Sequence, residues 1–246
     1  MRFKYNGIKE AYVAGDIHGD FDKLIRKIKH DKIEDSLIIV AGDCGFGFEE
    51  RIYYDNTYKY CGPSLEKHNN IVLFMRGNHD DPSYFSEDPL TRFFYDRMQC
   101  VPDYSVITIN GSRNLLCIGG ALSVDRKLRK ENVSWWAGES AVKNDEEIDK
   151  LTAEGTEIDT VIAHNCPSFC EPTEKKSLHY FSMLDENILE DCDMERKMFD
   201  DILTKITTSQ SGLRNWLYGH YHKSWEKEIS GITFTMLSIM ELKKIM

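Results

Sequence analysis

Five short apolar segments of this sequence each run into a polar motif rich in Asp, Asn, His and Gly. In chain order the motifs are GDIHG at 15–19, GDCG at 42–45, GNHD at 77–80, AHNCP at 163–167 and GHYH at 219–222. Apolar segments of this length are typical of buried strands. Because ligand sites of open α/β sheets lie at the carboxyl ends of strands, we expect the five motifs to converge.

The hydrophobic periodicity predicts an α/β fold with two packed mixed sheets. Strands are expected at 11–14, 37–41, 71–75, 106–109, 115–118, 160–163, 215–218 and 232–237. Amphipathic helices are expected at 20–30, over a segment ending near 69, and at 194–206, with the acidic run 145–147 on an exposed helix surface. Early strand–helix alternation followed by consecutive strands indicates two sheets. No repeat or linker divides the chain, so a single domain over 1–246 is expected.

Composition narrows the possible functions and partners. Of 246 residues, 41% are hydrophobic and 29% charged, which is typical of a soluble globular protein. No apolar run approaches the roughly 18 residues of a membrane span, and MRFKYNGIKE lacks a signal-peptide core. We therefore expect a cytoplasmic protein with no membrane partner. The net charge of −10 disfavours nucleic acid as a partner without excluding it. Oligomeric state is left open.

The cysteines favour a reducing compartment. There are seven of them, an odd number, and no C-x-x-C pair occurs. This pattern fits buried free thiols better than a disulfide framework. Cys166 and Cys170 are alternative metal ligands, but no second cysteine pair accompanies them.

The strand-end motifs hold a ligand set of oxygen and imidazole groups. Its members are Asp16, His18, Asp43, Asn78, His79, Asp80, His164, His220 and His222. Such a set suits a first-row divalent metal rather than a structural thiolate zinc site. Asp16 and His18 are two residues apart, as are His220 and His222, and in extended backbone each such pair points to one side. Each motif alone also fits an ordinary structural role, whereas their joint occurrence in this order favours one metal site.

The ordered motifs resemble those of the calcineurin-like metallophosphoesterase superfamily, particularly its bacterial and phage members. The resemblance covers residues 15–222 and implies a four-layer α/β/β/α sandwich of two mixed sheets. It implies that one metal is held by Asp16, His18 and His222, a second by Asn78, His164 and His220, and both by a bridging Asp43. It also implies that His79 is the catalytic histidine and Asp80 its partner.

The same resemblance implies a function. The expected activity is dinuclear metal-dependent hydrolysis of phosphomonoesters by attack of a metal-bound hydroxide, on a phosphoprotein or a small phosphorylated metabolite. Manganese is the expected metal, with iron, zinc, magnesium and nickel as alternatives. Two other functions remain open: a phosphodiesterase or nuclease acting on nucleotides or nucleic-acid ends, and a metal-binding scaffold without catalysis.

Substrate-binding residues are harder to predict from the motifs. Protein Ser/Thr phosphatases of the superfamily typically read GDxVDRG at the second motif, whereas this chain reads GDCGFGFEERI and lacks that arginine. The basic and aromatic segment 119–140 offers Arg126 and Arg129 for substrate phosphate, and Arg76 is a third candidate, expected mainly to support its loop. Aromatic residues between 46 and 60 are expected in the core or on a helix rather than at a pocket rim.

Overall fold

The protein, seen in a computed structural model that describes residues 1–174 and 178–246, is built around two β-sheets. Strands are numbered along the chain. The seven-stranded sheet has the order β1 (Arg2–Tyr5), β7 (Ser105–Ile109), β8 (Arg113–Ile118), β9 (Thr160–Ala163), β10 (Asn215–Tyr218), β12 (Ile232–Met236) and β11 (Trp225–Ile229). The six-stranded sheet has the order β13 (Leu242–Lys244), β2 (Glu10–Ala14), β3 (Ser36–Val40), β4 (Ile71–Phe74), β6 (Met98–Cys100) and β5 (Phe94–Tyr95).

Both sheets are mixed, with parallel strands at their centres. In the six-stranded sheet β2, β3, β4 and β6 run parallel, and the edge strands β13 and β5 are antiparallel. In the seven-stranded sheet β8, β9, β10 and β12 run parallel. Parallel strands end at a common edge of their sheet, so the polar motifs after β2, β3 and β4 emerge together, as do those after β9 and β10.

Helices cover the outer face of each sheet. The helices are α1 (Phe21–His30), α2 (Arg51–Lys67), α3 (Asp145–Ala153), α4 (His179–Ser182) and α5 (Ile188–Ser209). Leu24 of α1 and Tyr54 of α2 share a hydrophobic core with Ile38 of the six-stranded sheet. Ile148 of α3 and Phe199 of α5 share a second core with the seven-stranded sheet.

A third core joins the two sheets. It contains Leu37 and Ile39 of β3, whereas their neighbours Ile38 and Val40 belong to the core beneath the helices. Successive strand residues point to opposite faces, so β3 is buried on both sides, and all five of its residues are buried. Three cores separate four layers, and the predicted α/β/β/α sandwich of two mixed sheets is confirmed.

The predicted elements agree closely with the structure where apolar patterning is strong. Strands β9 and β10 have the predicted bounds, and α3 begins at the acidic run 145–147. Strands β1, β5, β6, β11 and β13 were not predicted, because they are short or polar; β11, for example, has the sequence WEKEI, with three exposed central residues. Helix α5 begins at Ile188, six residues before its predicted start at Met194.

The structure also describes the cysteines and the helices that were considered as possible membrane spans. All seven cysteines are free, as predicted, and six of them are buried. Among the helices that the structure describes, none combines the length and apolar character needed to cross a bilayer.

Candidate metal centre

Five strand ends bring the predicted ligands into one region between the sheets. Asp16 and His18 follow β2, Asp43 follows β3, Asn78 and His79 follow β4, His164 follows β9, and His220 and His222 follow β10. The ligand atoms form two groups, one of Asp16, His18, Asp43 and His222 and the other of Asp43, His164 and His220. Within each group they lie within 4.8 Å of one another. Residues separated by two hundred positions therefore share one site.

The first group contains two imidazoles and two carboxylates. His222 Nε2 lies 3.0 Å from Asp16 Oδ2 and 3.0 Å from His18 Nε2. His18 Nε2 lies 4.0 Å from Asp43 Oδ2. The other oxygen of Asp16 accepts a hydrogen bond from the backbone amide of His220. This bond fixes the carboxylate and directs Oδ2 toward the two histidines.

The second group adds an amide oxygen. Asn78 Oδ1 lies 3.1 Å from His164 Nε2 and 2.9 Å from His220 Nδ1. His164 Nε2 also lies 3.1 Å from Asp43 Oδ1. Because His164 Nδ1 is 2.7 Å from the carbonyl oxygen of Ala41, its N–H donates there and Nε2 faces the site. Asp43 thus directs one carboxylate oxygen to each group, which is the arrangement of a bridging ligand.

These donors fit divalent metal ions. Asp16 Oδ2 is buried, and His222 Nε2 lies 3.0 Å from it. A buried carboxylate charge is costly unless a cation compensates it. Carboxylate, amide and imidazole donors together suit a first-row divalent ion. The order of the sequence motifs and the chemistry of the assembled donors therefore agree.

The buried charges stabilise one another. Burial acts to raise the pKa of Asp43, but the charges of His164, His79 and His220 outweigh it and hold that pKa well below its usual range. Burial lowers the pKa of His164, but the negative charge of Asp43 has the larger, opposite effect and raises that pKa to about 9. Burial and the neighbouring His164 lower the pKa of His220 to about 3. The negative charge of Asp43 and a positive charge on His164 or on a metal ion would therefore favour each other at this place.

The ligand loops carry strained backbone. His18, Asp43, His220 and His222 have φ values of 46, 48, 68 and 56°. Non-glycine residues seldom adopt positive φ, and such strain concentrates at functional sites. The expectation that His18 and the two later histidines lie on extended backbone is wrong. Their side chains reach the site from left-handed turns instead, which direct His220 and His222 to different groups.

Close packing explains the glycine of the third motif. A Cβ added to Gly77 would lie 2.2 Å from Asp43 Oδ1 and 2.1 Å from the Asp43 backbone nitrogen. Any side chain at position 77 would therefore push Asp43 out of its place between the two groups.

His79 lies at the edge of the site with Arg129 against its ring. His79 Nε2 is 4.0 Å from Asp43 Oδ2. Arg129 Nη1 is 3.2 Å from His79 Nδ1, and Arg129 Nη2 is 3.3 Å from His79 Nε2. Burial and the positive charge of Arg129 lower the pKa of His79 by more than the negative charge of Asp43 raises it, so the pKa lies below its ordinary value. Of the three predicted substrate-binding arginines, Arg129 is the one that reaches the site.

Asp80 has a different role from the predicted one. Its Oδ1 accepts hydrogen bonds from the amides of Gly45 and Phe46, and its Oδ2 from those of Cys44 and Gly77. No hydrogen bond joins Asp80 to His79 within the described chain. Burial and the nearby Asp43 raise the pKa of Asp80 to about 7, against the lowering effect of these amides. Asp80 therefore fastens the second motif to the third instead of orienting the His79 ring.

The other two arginines are engaged elsewhere. Arg76 is 5% exposed and donates to the carbonyl oxygens of Gly138, Glu139 and Ser140 and to the Asp103 carboxylate. This agrees with the expected support of its loop and not with phosphate binding. Arg126 forms ion pairs with Asp185 and Asp191. These pairs commit its guanidinium to the α4–α5 region, which corrects its prediction as a substrate contact.

A buried network that the motifs did not reveal orients Asn78. Asn78 Nδ2 donates to Ser123 Oγ over 3.0 Å, and Ser123 Oγ donates to Glu139 Oε2 over 2.6 Å. This fixes the amide so that its oxygen faces His164 and His220. Ser123 lies in the sequence between the predicted strand 115–118 and Trp135, outside the five strand-end motifs.

A second network joins the loops of the fourth and fifth motifs. Tyr221 donates to Asn165 Oδ1 over 2.6 Å, and Asn165 Nδ2 donates to Glu195 Oε2 over 2.7 Å. Glu195 of α5 also accepts from the amides of Leu122 and Ala141. The residues beside the histidine ligands, Asn165 and Tyr221, thus anchor both loops to α5. Both residues lie within the strand-end motifs AHNCP and GHYH, so their position next to the histidine ligands could have indicated a supporting role from the sequence.

Replacing Ser123 by alanine removes the group that orients Asn78. Loss of such a supporting contact typically costs about ten- to hundredfold in metal affinity, so we expect the Kd for Mn²⁺ to rise by that factor in a chelator-competition titration. Ser105→Ala is the matched control, since Ser105 is also buried and its hydroxyl has no hydrogen-bond partner in the described chain. Equal Mn²⁺ affinity in both variants and the unmodified protein would contradict the role of Ser123.

Two clefts open beside His79. One, of about 350 Å³, extends toward Leu122, Val124 and Phe181. The other, of about 390 Å³, extends toward Phe48 and Tyr53. Both volumes fall within the range of small-molecule sites. The two clefts therefore leave the centre accessible to a small molecule or to a side chain of another protein.

Comparison with known proteins adds the following. The sequence profile described as calcineurin-like phosphoesterase matches residues 11–224. Among solved structures, a dimetal phosphatase from Danio rerio is 12% identical, with 95% of this chain and 88% of that one covered and a TM-score of 0.49. A putative 5′-nucleotidase from Staphylococcus aureus is 15% identical, with a TM-score of 0.48. The match covers 96% of this chain but only 50% of the nucleotidase chain, so this chain spans about half the length of that protein. A comparison with curated proteins found no match.

Proposed function

Because this chain belongs to the calcineurin-like phosphoesterase family, and is therefore a hydrolase of phosphoric esters, we propose that it hydrolyses phosphomonoesters with two divalent metal ions. The observation that carries the proposal is the position of Asp43, which directs Oδ1 toward His164 and Oδ2 toward His18. A carboxylate shared by two ligand groups can hold two metal ions next to each other, as a dinuclear centre does.

The ligand groups define the two proposed metal positions. Asp16, His18 and His222 would hold one ion, Asn78, His164 and His220 the other, and Asp43 both. Manganese is the proposed metal, since these donors suit it and carry no thiolate. When bound, the two ions would supply an activated water molecule and neutralise charge on the phosphoryl oxygens.

The chain's own side chains would bind the phosphoryl group and move a proton. Arg129 lies against His79, with its Nε held by Asp125 and its Nη1 by the carbonyl oxygen of Ser134, and its Nη2 lies 3.3 Å from His79 Nε2. A guanidinium there can donate to a non-bridging phosphoryl oxygen. His79 would give its proton to the departing alkoxide. Its lowered pKa makes the imidazolium a stronger acid, although less of it is present at neutral pH.

Replacing His79 by alanine should affect esters according to their leaving groups. An alkoxide needs a proton to leave, whereas a nitrophenolate does not, so we expect kcat/KM to fall by about 10²–10⁴ for an alkyl phosphate and far less for 4-nitrophenyl phosphate. His30→Ala is the control, because the His30 side chain is 88% exposed and remote from the motifs. Equal losses on both esters would argue against proton donation by His79.

The proposed activity is tested by comparing three substrates. Mn²⁺-loaded protein should hydrolyse 4-nitrophenyl phosphate faster than bis(4-nitrophenyl) phosphate, and a single-stranded oligonucleotide should stay intact. Faster hydrolysis of the diester or cleavage of the oligonucleotide would overturn the monoester assignment in favour of a phosphodiesterase. Two bound metals without turnover of any ester would instead identify a non-catalytic scaffold.

A further inference from the structure

Two exposed aromatic side chains lie beside the candidate catalytic histidine. Phe48 and Tyr53 are each 43% exposed and line the same cleft as His79. Their sequence neighbours Phe46 and Tyr54 are buried in the core. Phe46 and Tyr54 therefore lie in the core, as expected for this aromatic segment, whereas Phe48 and Tyr53 line a cleft, which was not expected. Phe48 and Tyr53 form a cleft wall, which we call the aromatic wall.

The backbone on either side of Phe48 is firmly held. The amides of Gly47 and Glu49 donate to the Tyr54 hydroxyl over 2.8 and 3.1 Å, and that hydroxyl donates to the carbonyl oxygen of Gly45. Gly47 has a φ of 99°, and a Cβ there would lie 2.4 Å from Asp81 Cβ. The position of Phe48 is thus fixed by buried contacts, while its ring stays accessible. A fixed aromatic ring loses little conformational entropy when a ligand packs on it.

The Phe48 ring is aligned with the ring of His79, the candidate catalytic histidine. It lies nearly parallel to His79, with an interplanar angle of 16° and 6.4 Å between ring centroids. The buried Trp136 meets it edge-on at 5.3 Å. A leaving group that accepts a proton from His79 must lie next to that histidine. The aromatic wall then offers a flat surface at the place where a ring attached to the ester oxygen would lie.

The charge of this cleft limits which rings it can accept. Its described lining consists of His18, Gly19, Asp20, Gly45, Phe48, Glu49, Tyr53 and His79. Asp20 and Glu49 are carboxylates, and that lining includes no lysine or arginine. An anionic ring would be repelled by these carboxylates, whereas an uncharged ring would not.

From these contacts we propose that the aromatic wall of Phe48 and Tyr53 is the leaving-group subsite, and that it selects phosphomonoesters whose alcohol carries a flat, uncharged ring close to the ester oxygen. This inference rests on the proposed monoesterase function and names its substrate class. The cleft toward Phe181 is the competing location for the leaving group, and the experiment distinguishes the two.

The test compares benzyl phosphate with cyclohexylmethyl phosphate. Both release a primary alkoxide, so their chemical reactivity is closely matched, but only the benzyl ring is flat. We expect the unmodified, Mn²⁺-loaded protein to prefer benzyl phosphate in kcat/KM by about fivefold, the factor expected of one aromatic pair. Phe48→Leu and Tyr53→Leu should each reduce this preference toward one, and Phe181→Leu should retain it. 4-Carboxybenzyl phosphate should be hydrolysed more slowly than benzyl phosphate.

Several results would overturn the subsite. A Phe48→Leu variant that loses equal activity on both esters would make Phe48 a positioning residue for His79. Loss of the preference in Phe181→Leu alone would move the leaving group to the other cleft. Equal rates for benzyl and 4-carboxybenzyl phosphate would overturn selection for an uncharged ring.

A binding measurement separates failure of the subsite from failure of the proposed function. If neither of these esters nor 4-nitrophenyl phosphate is hydrolysed, the monoesterase proposal fails, and calorimetric titration with benzylphosphonate and cyclohexylmethylphosphonate then tests the aromatic wall directly. Tighter binding of benzylphosphonate that disappears in Phe48→Leu supports the subsite. Equal Kd values for the two phosphonates in the unmodified protein overturn it.

Discussion

Replacing Asp43 by asparagine should abolish phosphoester hydrolysis while leaving the fold intact. Asparagine has nearly the same shape but lacks the negative charge that both ligand groups share. Loss of a supporting contact to a ligand already costs about ten- to hundredfold in metal affinity, so loss of a shared ligand should cost more than about a hundredfold. We expect fewer than two metal ions per chain by elemental analysis and a similar loss in kcat/KM.

The control for Asp43→Asn is Asp22→Asn. Asp22 lies on α1, where its exposed carboxylate pairs with Arg26, so this change removes the same charge away from the site. It should keep full metal content and activity. If Asp43→Asn behaved like this control, Asp43 would not be a metal ligand.

Replacing Arg76 by methionine should strongly destabilise the protein. The Arg76 guanidinium is buried, pairs with Asp103 and donates to three backbone carbonyls of the segment that carries Glu139. Removing one partner of a buried ion pair typically costs about 3–5 kcal/mol, because the remaining charge and acceptors lose their partner. We expect the free energy of unfolding, measured by urea denaturation, to fall by that amount.

An exposed arginine provides the comparison for Arg76. Arg26→Met removes a surface ion pair with Asp22, whose two side chains are 72% and 43% exposed. Exposed pairs of this kind contribute about 0–1 kcal/mol. A change of similar size in both variants would show that Arg76 does not hold its loop.

Structure can be predicted from the sequence where consecutive residues must all meet the same chemical requirement, such as burial of a strand on both faces. Buried parallel strands need continuous apolar segments, so β3 and β9 were predictable from SLIIV and TVIA. Ligand sites of open α/β sheets lie at the carboxyl ends of such strands, so GDIHG and GNHD could be recognised without coordinates. Edge strands such as β11 carry no such requirement on their exposed face, and their alternating charges look like a loop.

Contacts between distant segments are where prediction from sequence is weakest. Asp80 follows His79 directly, yet four backbone amides compete for its carboxylate, three of them from the second motif. Arg126 and Arg129 are three residues apart in one basic segment. Arg126 is engaged by Asp185 and Asp191, whereas Arg129 reaches His79. Only the folded arrangement of the α4–α5 region distinguishes them.

The orientation of ligands depends on similarly distant partners. Asn78 has an amide whose two ends are chemically different, and its direction is decided by Ser123, forty-five positions away, together with Glu139. A motif can identify the ligand type, whereas the network that fixes its geometry must be read from the structure.

The most direct test of the account is to locate the metals themselves. Crystals grown with Mn²⁺ should show two anomalous-scattering peaks on either side of Asp43, about 3.5–4 Å apart, as two-metal phosphoesterase chemistry requires. One peak should lie beside His18 and His222, and the other beside His164 and His220. A single peak, or two peaks that do not share Asp43, would contradict the dinuclear centre on which the proposed function depends.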